Sequence, residues 1–241
     1  MAVYPVSTRK LLIDQYDISG HLNSLTFNLN KDANENTVFG NTAHSTLPGI
    51  KGFTLEHSGF GESGTGLIET ITSDNWNSTA KIMSVLSSNV SGEPAYSAQG
   101  IVPNYTLGGK IGDMYGFNGS AVGAGGITIV RGALLATGSK ATGGNGTAYQ
   151  LGAVSTAQYV YGIIHCTAHN AGSTTITVKI QSSSAENFSV ANDRITFSVL
   201  ADVGKQWATP VAGEITDTWW RATWAVTSTP AATIYVIAGI L

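Results

Sequence analysis

Ser24-Leu-Thr-Phe-Asn-Leu29 and Gly52-Phe-Thr-Leu-Glu-His57 are two short strand-like runs, and the stretch between them, Asn30 to Lys51, has neither helical nor strand periodicity. Structureless loops longer than roughly 12–15 residues are uncommon in compact domains and usually carry a function. This one contains no catalytic constellation. It sets Val38, Phe39, Leu47, Pro48 and Ile50 among polar residues. It therefore reads as an arm that grips something, and the expected object is another copy of the same chain.

Composition supports a folded protein with many neighbours. Hydrophobic residues make up 42% of the 241, enough for a substantial core. Only 11% are charged, against a usual value of roughly 25%. A surface rich in Gly, Ser, Thr and Asn suits a protein packed against others. The net charge is −3 with no basic tract, which argues against a protein that grips nucleic acid through its phosphates. The single cysteine, Cys166, lies in the apolar run Tyr161-Gly-Ile-Ile-His-Cys166 and reads as a small buried hydrophobe. The N-terminus has no apolar signal-type region, and no run is long enough to span a bilayer. Synthesis in a cytoplasm, without membrane insertion, is the expectation.

Period-2 patterns dominate the chain. Ile176, Val178 and Ile180 alternate with polar neighbours, as do Ile195, Phe197 and Val199. Trp220, Ala222, Trp224 and Val226 fall on one face of another run, opposite Trp219, Arg221 and Thr223. Strict alternation marks strands buried on one face. The closing run Thr233 to Leu241 is apolar on both faces, which marks a central strand. One helix is expected over Gly66 to Trp76, with Thr65 as N-cap and Glu69 near its first turn, and a shorter one over Ala185 to Val190. The expected fold is therefore all-β, with antiparallel sandwich or barrel modules, each with one short flanking helix. The polar stretch Thr137 to Gly146 divides them into modules 1–136 and 137–241.

The motifs that suggest chemistry have plainer readings. Gly59-Phe-Gly-Glu-Ser-Gly64 matches a dinucleotide fingerprint, but that pattern needs a parallel βαβ unit and a later acidic residue. A strand-to-helix turn in a glycine-rich chain is the better account. His165 and His169 would chelate zinc on a helix; on a strand, four residues span about 13 Å. The carboxylates are scattered. Trp220 and Trp224 read as core, whereas Trp219, beside Arg221, is a candidate interface residue. No catalytic, cofactor-binding or metal set emerges, so no enzyme activity and no cofactor are expected.

Several of these residues carry a resemblance. Asp17-Ile-Ser-Gly-His-Leu-Asn-Ser24, Thr37-Val-Phe-Gly40, Leu47-Pro-Gly-Ile-Lys-Gly52 and Ser58-Gly-Phe-Gly61 resemble the N-terminal half of tail tube (major tail) proteins of long-tailed bacteriophages. Leu107-Gly-Gly-Lys-Ile-Gly-Asp113 and Val130-Arg-Gly-Ala-Leu-Leu135 look like the end of the same module. Tyr149 to Ile240, with Ile215-Thr-Asp-Thr-Trp-Trp-Arg-Ala222, looks like a second half.

The resemblance implies a virion structural protein whose inner strands join around an axis. Rings would stack into a tube that conducts DNA during ejection, without binding it specifically. Its partners would be itself, a tape-measure protein and a tail-terminator protein. Two tube modules per chain give a trimeric ring with pseudo-sixfold symmetry, the arrangement favoured by the similar order of elements in the two halves. One module with an outward decoration gives a hexamer. The competing readings are a capsid decoration or tail-tip β protein, and a carbohydrate-binding module.

Overall fold

The computed structural model describes residues 8–40, 42–62, 68–76, 80–124, 129–170, 175–227 and 232–241. In the first half, the strands of four or more residues are β1 (Lys10–Ile13), β2 (Leu22–Glu35), β3 (Thr46–Phe60), β4 (Lys81–Leu86), β5 (Pro94–Gly108), β6 (Gly116–Gly123) and β7 (Val130–Lys140). Helix α1 (Ile68–Trp76) lies between β3 and β4. The second half adds β8 (Tyr159–His169), β9 (Ile176–Ser183), β10 (Asn192–Thr196), β11 (Gly204–Trp207), β12 (Trp219–Val226) and β13 (Ala232–Ile240). The recorded strand pairings are antiparallel, and the fold class is all-β.

By its contacts the chain forms two compact units. The larger comprises Met1–Gly20, Ile82–Ala98 and Val130–Leu241, and the smaller comprises His21–Lys81 and Gln99–Ile129. This division differs from the expected cut at residues 136 and 137, which falls inside β7. That strand pairs with β13 over eight registered positions, from Lys140↔Ala232 to Gly132↔Gly239. A polar, glycine-containing stretch in sequence is here the end of a paired strand followed by a turn.

The larger unit is a β-sandwich. One sheet runs β11-β8-β13-β7-β5-β4-β1, and the other centres on β12, β9 and β10. Leu135, Ile164, Ile234 and Val236 from the first sheet pack with Val178, Ile180, Ile195 and Trp220 from the second. Full burial of such side chains is worth about 1.5–3 kcal/mol each. Trp220 is fully buried, and its indole N–H donates to the Gly152 carbonyl at 2.8 Å. The other face of the first sheet carries a second cluster with Leu12, Leu86, Leu134, Ile163, Tyr235 and Ile237. β13 thus supplies apolar side chains to both faces, as its unalternating sequence requires.

No helix forms over Ala185 to Val190. The segment is a turn in which the Phe188 N–H donates to the Ala185 carbonyl and Phe188 has φ 51°. Six residues offer too few turns to offset helix nucleation, and Phe188 is held instead beneath Arg221. The expectation of one flanking helix per module therefore fails for the second half. Thr65 lies outside the described residues.

The smaller unit holds a four-stranded sheet in the order β2-β3-β6-β5. Phe53, Leu55, Phe117 and Ala121 are buried on one face, with the Phe27 and Phe53 rings 5.6 Å apart. Gly59 is required where β3 passes His21, since a Cβ there would stand 1.9 Å from the His21 carbonyl oxygen. The opposite face is polar in registered rows. Ser24, Ser58, Asn118 and Thr106 form one row across the four strands, and Thr26, Glu56, Ser120 and Asn104 the next. These residues line a shallow recess of about 350 Å³.

Candidate assembly surface

The stretch expected to be an irregular loop is mostly strand. β2 continues to Glu35 and β3 begins at Thr46, with register maintained through Lys31↔Lys51 and, after a bulge, Ala33↔Pro48 to Glu35↔Thr46. The reason it does not read as strand is physical. Alternation appears only when one face is buried, and from Asn28 to Glu35 β2 is exposed at every position. The result is a two-stranded arm with solvent on both faces. Pro48 is tolerated because, beyond Lys51, β3 pairs with β2 alone.

A short polar network shapes the tip. The Asn36 N–H donates to the Ser45 carbonyl at 2.9 Å, and the Ser45 N–H donates to Thr37 Oγ1 at 2.9 Å. His44 Nδ1 lies 2.6 Å from Glu35 Oε1, a contact that lowers the Glu35 pKa. Between these ties Val38 is 66% exposed and Phe39 fully so. Leu47, Pro48 and Ile50 are also exposed, on β3. All five residues predicted from sequence to grip a partner therefore lie on this arm, together with Leu29, which sequence reading did not single out. Five large apolar side chains held in water on one hairpin are unusual for a monomer.

Two strand edges in this unit are also open. Among the described residues no strand pairs with the outer side of β2, nor with the side of β5 away from β6 over Asn104–Gly108. Unpaired edges are templates for pairing with another chain.

Trp219 and Arg221, the other candidate interface residues, belong to the larger unit. Both are half-buried. The Arg221 guanidinium stacks 4.1 Å above the Phe188 ring and donates from Nε to Gln181 Oε1 at 3.0 Å. One of its donors and one face of its guanidinium are thus engaged within the chain. Trp224 packs against the sandwich core, and Lys140 lies 4.4 Å over its ring.

The residues that suggested chemistry sit in structural roles. His165 is fully buried, with Nε2 at 2.8 Å from Ser84 Oγ and Nδ1 at 2.5 Å from the Asp14 carbonyl. A serine–histidine contact is the core of a nucleophilic pair, but Ser84 is itself sealed from solvent. The Asp14 carboxylate turns to Lys205 Nζ at 2.9 Å instead of the imidazole. Sequence gave no sign of this network, because Asp14, Ser84, His165 and Lys205 are far apart along the chain. Burial holds the Cys166 thiol up at about 11. No group of three or more His, Cys, Asp or Glu suited to a metal occurs among the described residues. In the Gly59–Gly64 motif, β3 is antiparallel to both neighbours, and Ser63 and Gly64 lie outside the described residues. No described helix is long and apolar enough to cross a membrane.

No known family's sequence profile matches the chain, and no curated protein matches it. Comparison with solved structures finds distant likenesses. A chain in the tail of an empty gene transfer agent particle with C6 symmetry is 11% identical, over 53% of this chain and 97% of that one, with a TM-score of 0.42. The tube–sheath complex of an extracellular contractile injection system, PVC, gives 16% identity, 54% and 92% coverage and a TM-score of 0.41. The SPP1 Dit (gp 19.1) protein, from a hub adsorption apparatus of phages infecting Gram-positive bacteria, gives 11% identity, 97% and 99% coverage and a TM-score of 0.37. At these identities and scores the likenesses do not establish a shared fold.

Proposed function

We propose that this chain is a structural subunit of a bacteriophage tail, which associates with copies of itself into rings that stack as a tube for DNA. The observation that carries this reading is the β2–β3 arm, exposed on both faces and bearing Leu29, Val38, Phe39, Leu47 and Ile50. Among the described residues these side chains are left exposed by the chain's own fold, and a neighbouring copy would bury them.

The sequence resemblance and the open edges support the same reading. In the ring, the free edge of β2 in one copy pairs with the β5 edge of the next, since closure removes edges. The polar rows of the smaller sheet then face the lumen. Their one charged member is Glu56, so this face does not attract phosphates. The arm and both of these edges belong to the one four-stranded sheet of the smaller unit, so each chain fills one ring position and six copies per ring is the favoured count. The protein acts without catalysis or a cofactor, within the virion tail, after synthesis in the host cytoplasm. A tape-measure protein inside the lumen and a terminator at the tube's end complete the assembly.

Shortening the arm tests this. A variant in which Asn34 to Leu47 is replaced by an Asn-Gly turn joins Ala33 to Pro48 through a two-residue hairpin. It should keep its β circular dichroism and cooperative unfolding yet fail to sediment as polymer. Normal polymers from this variant would remove the arm from the account.

A further inference from the structure

β3 runs the full length of the smaller sheet, from Thr46 to Phe60. At about 3.3 Å per residue its two ends lie roughly 45 Å apart along the strand. The arm tip, with Val38 and Phe39, projects beyond the Glu35↔Thr46 pair at one end. The β5–β6 hairpin closes the other end, because Gly116 pairs with Phe60 on one side and with Gly108 on the other. There the Gly61 N–H donates to the Tyr115 carbonyl at 2.9 Å. The sheet therefore carries a hairpin tip at each of its two ends.

Both tips are apolar. The β5–β6 hairpin turns through Lys110-Ile111-Gly112-Asp113, where the Asp113 N–H donates to the Lys110 carbonyl at 2.9 Å and Gly112 has φ 95°. A positive φ at the third position marks a type II turn, with Ile111 at its outer corner. Ile111 is fully exposed and Met114 is 68% exposed, and Phe60, Leu107 and Tyr115 at the hairpin's base are exposed as well. The charges of Lys110 and Asp113 cancel, which leaves apolar area as the distinguishing chemistry of this end.

The placement selects the occupant. In a ring closed by pairing the β2 and β5 edges, the strands run between the two rims. One rim then carries the arm tips and the opposite rim the β5–β6 hairpins. A chain's own arm tip is a sheet length away from its hairpin. A neighbour in the same ring presents its hairpin at the same level, and its arm tip at the far rim. A ring stacked in the same direction sets its arm tips against the hairpins. Stacking two hairpin rims face to face would instead stop at two rings and leave every arm in water.

Resting on the self-assembly reading above, we propose that the β5–β6 hairpin, through Ile111 and Met114, receives Val38 and Phe39 of a copy in the adjacent ring. The contact joins two different patches, so it is heterologous and the tube is polar and open-ended. Four side chains at roughly 150–200 Å² each bury less than the roughly 1,200 Å² of small specific interfaces. One such contact does not hold a pair of chains; a whole ring of them acting together does.

Two measurements test the contact. I111S/M114S changes only an exposed loop, so it should keep the wild-type circular dichroism and urea midpoint. It should raise the protein concentration needed for sedimentable polymer at least about tenfold, with single rings left in micrographs. Asn36 and Lys110 are exposed beside the two tips, and the chain's own Cys166 is buried, so introduced thiols report cleanly. N36C and K110C chains, polymerised together and treated with a flexible bis-maleimide, should give cross-linked dimers that neither variant gives alone. Normal tubes from I111S/M114S would overturn this contact alone. So would tubes of the mixed chains with no cross-linked dimer, or dimers formed equally well by N36C by itself. A wild-type chain that forms neither rings nor polymer would overturn the self-assembly reading, and this contact with it.

Discussion

Nε2 of His165 lies 2.8 Å from Ser84 Oγ, and the direction of that hydrogen bond is fixed from the other side of the ring. Nδ1 faces the Asp14 carbonyl, which can only accept, so Nδ1 carries the proton. Nε2 is then the acceptor, Ser84 donates to it, and Ser97 Oγ, at 2.7 Å, donates to Ser84. The neutral ring joins the turn after β1 with β4, β5 and β8 of the larger unit through one chain of polar contacts.

That arrangement makes stability pH-dependent. Burial lowers the pKa of His165 to about 4, and does the same to His57 in the smaller unit, where Nδ1 has no hydrogen-bond partner among the described residues. The ordinary value is 6.5, so the unfolded chain takes up these protons first. The stabilising contribution is complete above pH 6.5, falls with pH, and is lost by about pH 4. For each ring the loss is about 3 kcal/mol, steepest at about 1.4 kcal/mol per pH unit. Urea midpoints measured from pH 7.5 to 4.5 should fall across this window, and less so in His165→Gln relative to its own midpoint at pH 7.5. Midpoints that do not change between pH 6.5 and 5 would contradict the buried, neutral rings.

Close approach of β7 and β13 gives a second expectation. A Cβ on Gly132 would meet the Ala238 carbonyl oxygen at 2.0 Å, in the middle of the larger sheet. Gly132→Ala should therefore cost about 3 kcal/mol. Gly20→Ala, whose new Cβ meets nothing within 4 Å, should stay within about 0.5 kcal/mol of wild type. Chemical denaturation of the pair checks the contrast.

Exposure at the arm tip predicts a separation of stability from assembly. Phe39 is surrounded by solvent, so Phe39→Ser should shift the unfolding free energy by no more than about 0.5 kcal/mol. The same change should weaken polymer formation markedly, as read by sedimentation. A variant that loses stability and keeps assembly would show that Phe39 serves the fold and not the contact.

Much of the larger unit is legible in the sequence because its strands bury one face or both. Ile176, Val178 and Ile180 are buried as their alternation requires, and so are Trp220 and Ala222. β13 is central, as its two-sided apolarity demands. The arm is legible in its function-bearing residues but not in its conformation. With no buried face, backbone pairing leaves no period in the side chains. The open edges and the polar rows are properties of register between strands, which composition and spacing along one strand do not encode. The His165 network is hidden as well, since its members lie far apart along the chain and β8, which carries His165, is not a neighbour of β1, β4 or β5 in the sheet, so they meet only in the folded larger unit.

Electron microscopy of the purified protein at rising concentration, with averaged end-on views, tests the central claim most directly. The account predicts hollow tubes built from stacked rings with sixfold symmetry in the end views. Discrete particles at every concentration, or tubes whose end views are strictly threefold, would contradict it. The first result would point to a decoration, tail-tip or sugar-binding protein, and the second to two tube modules in each chain.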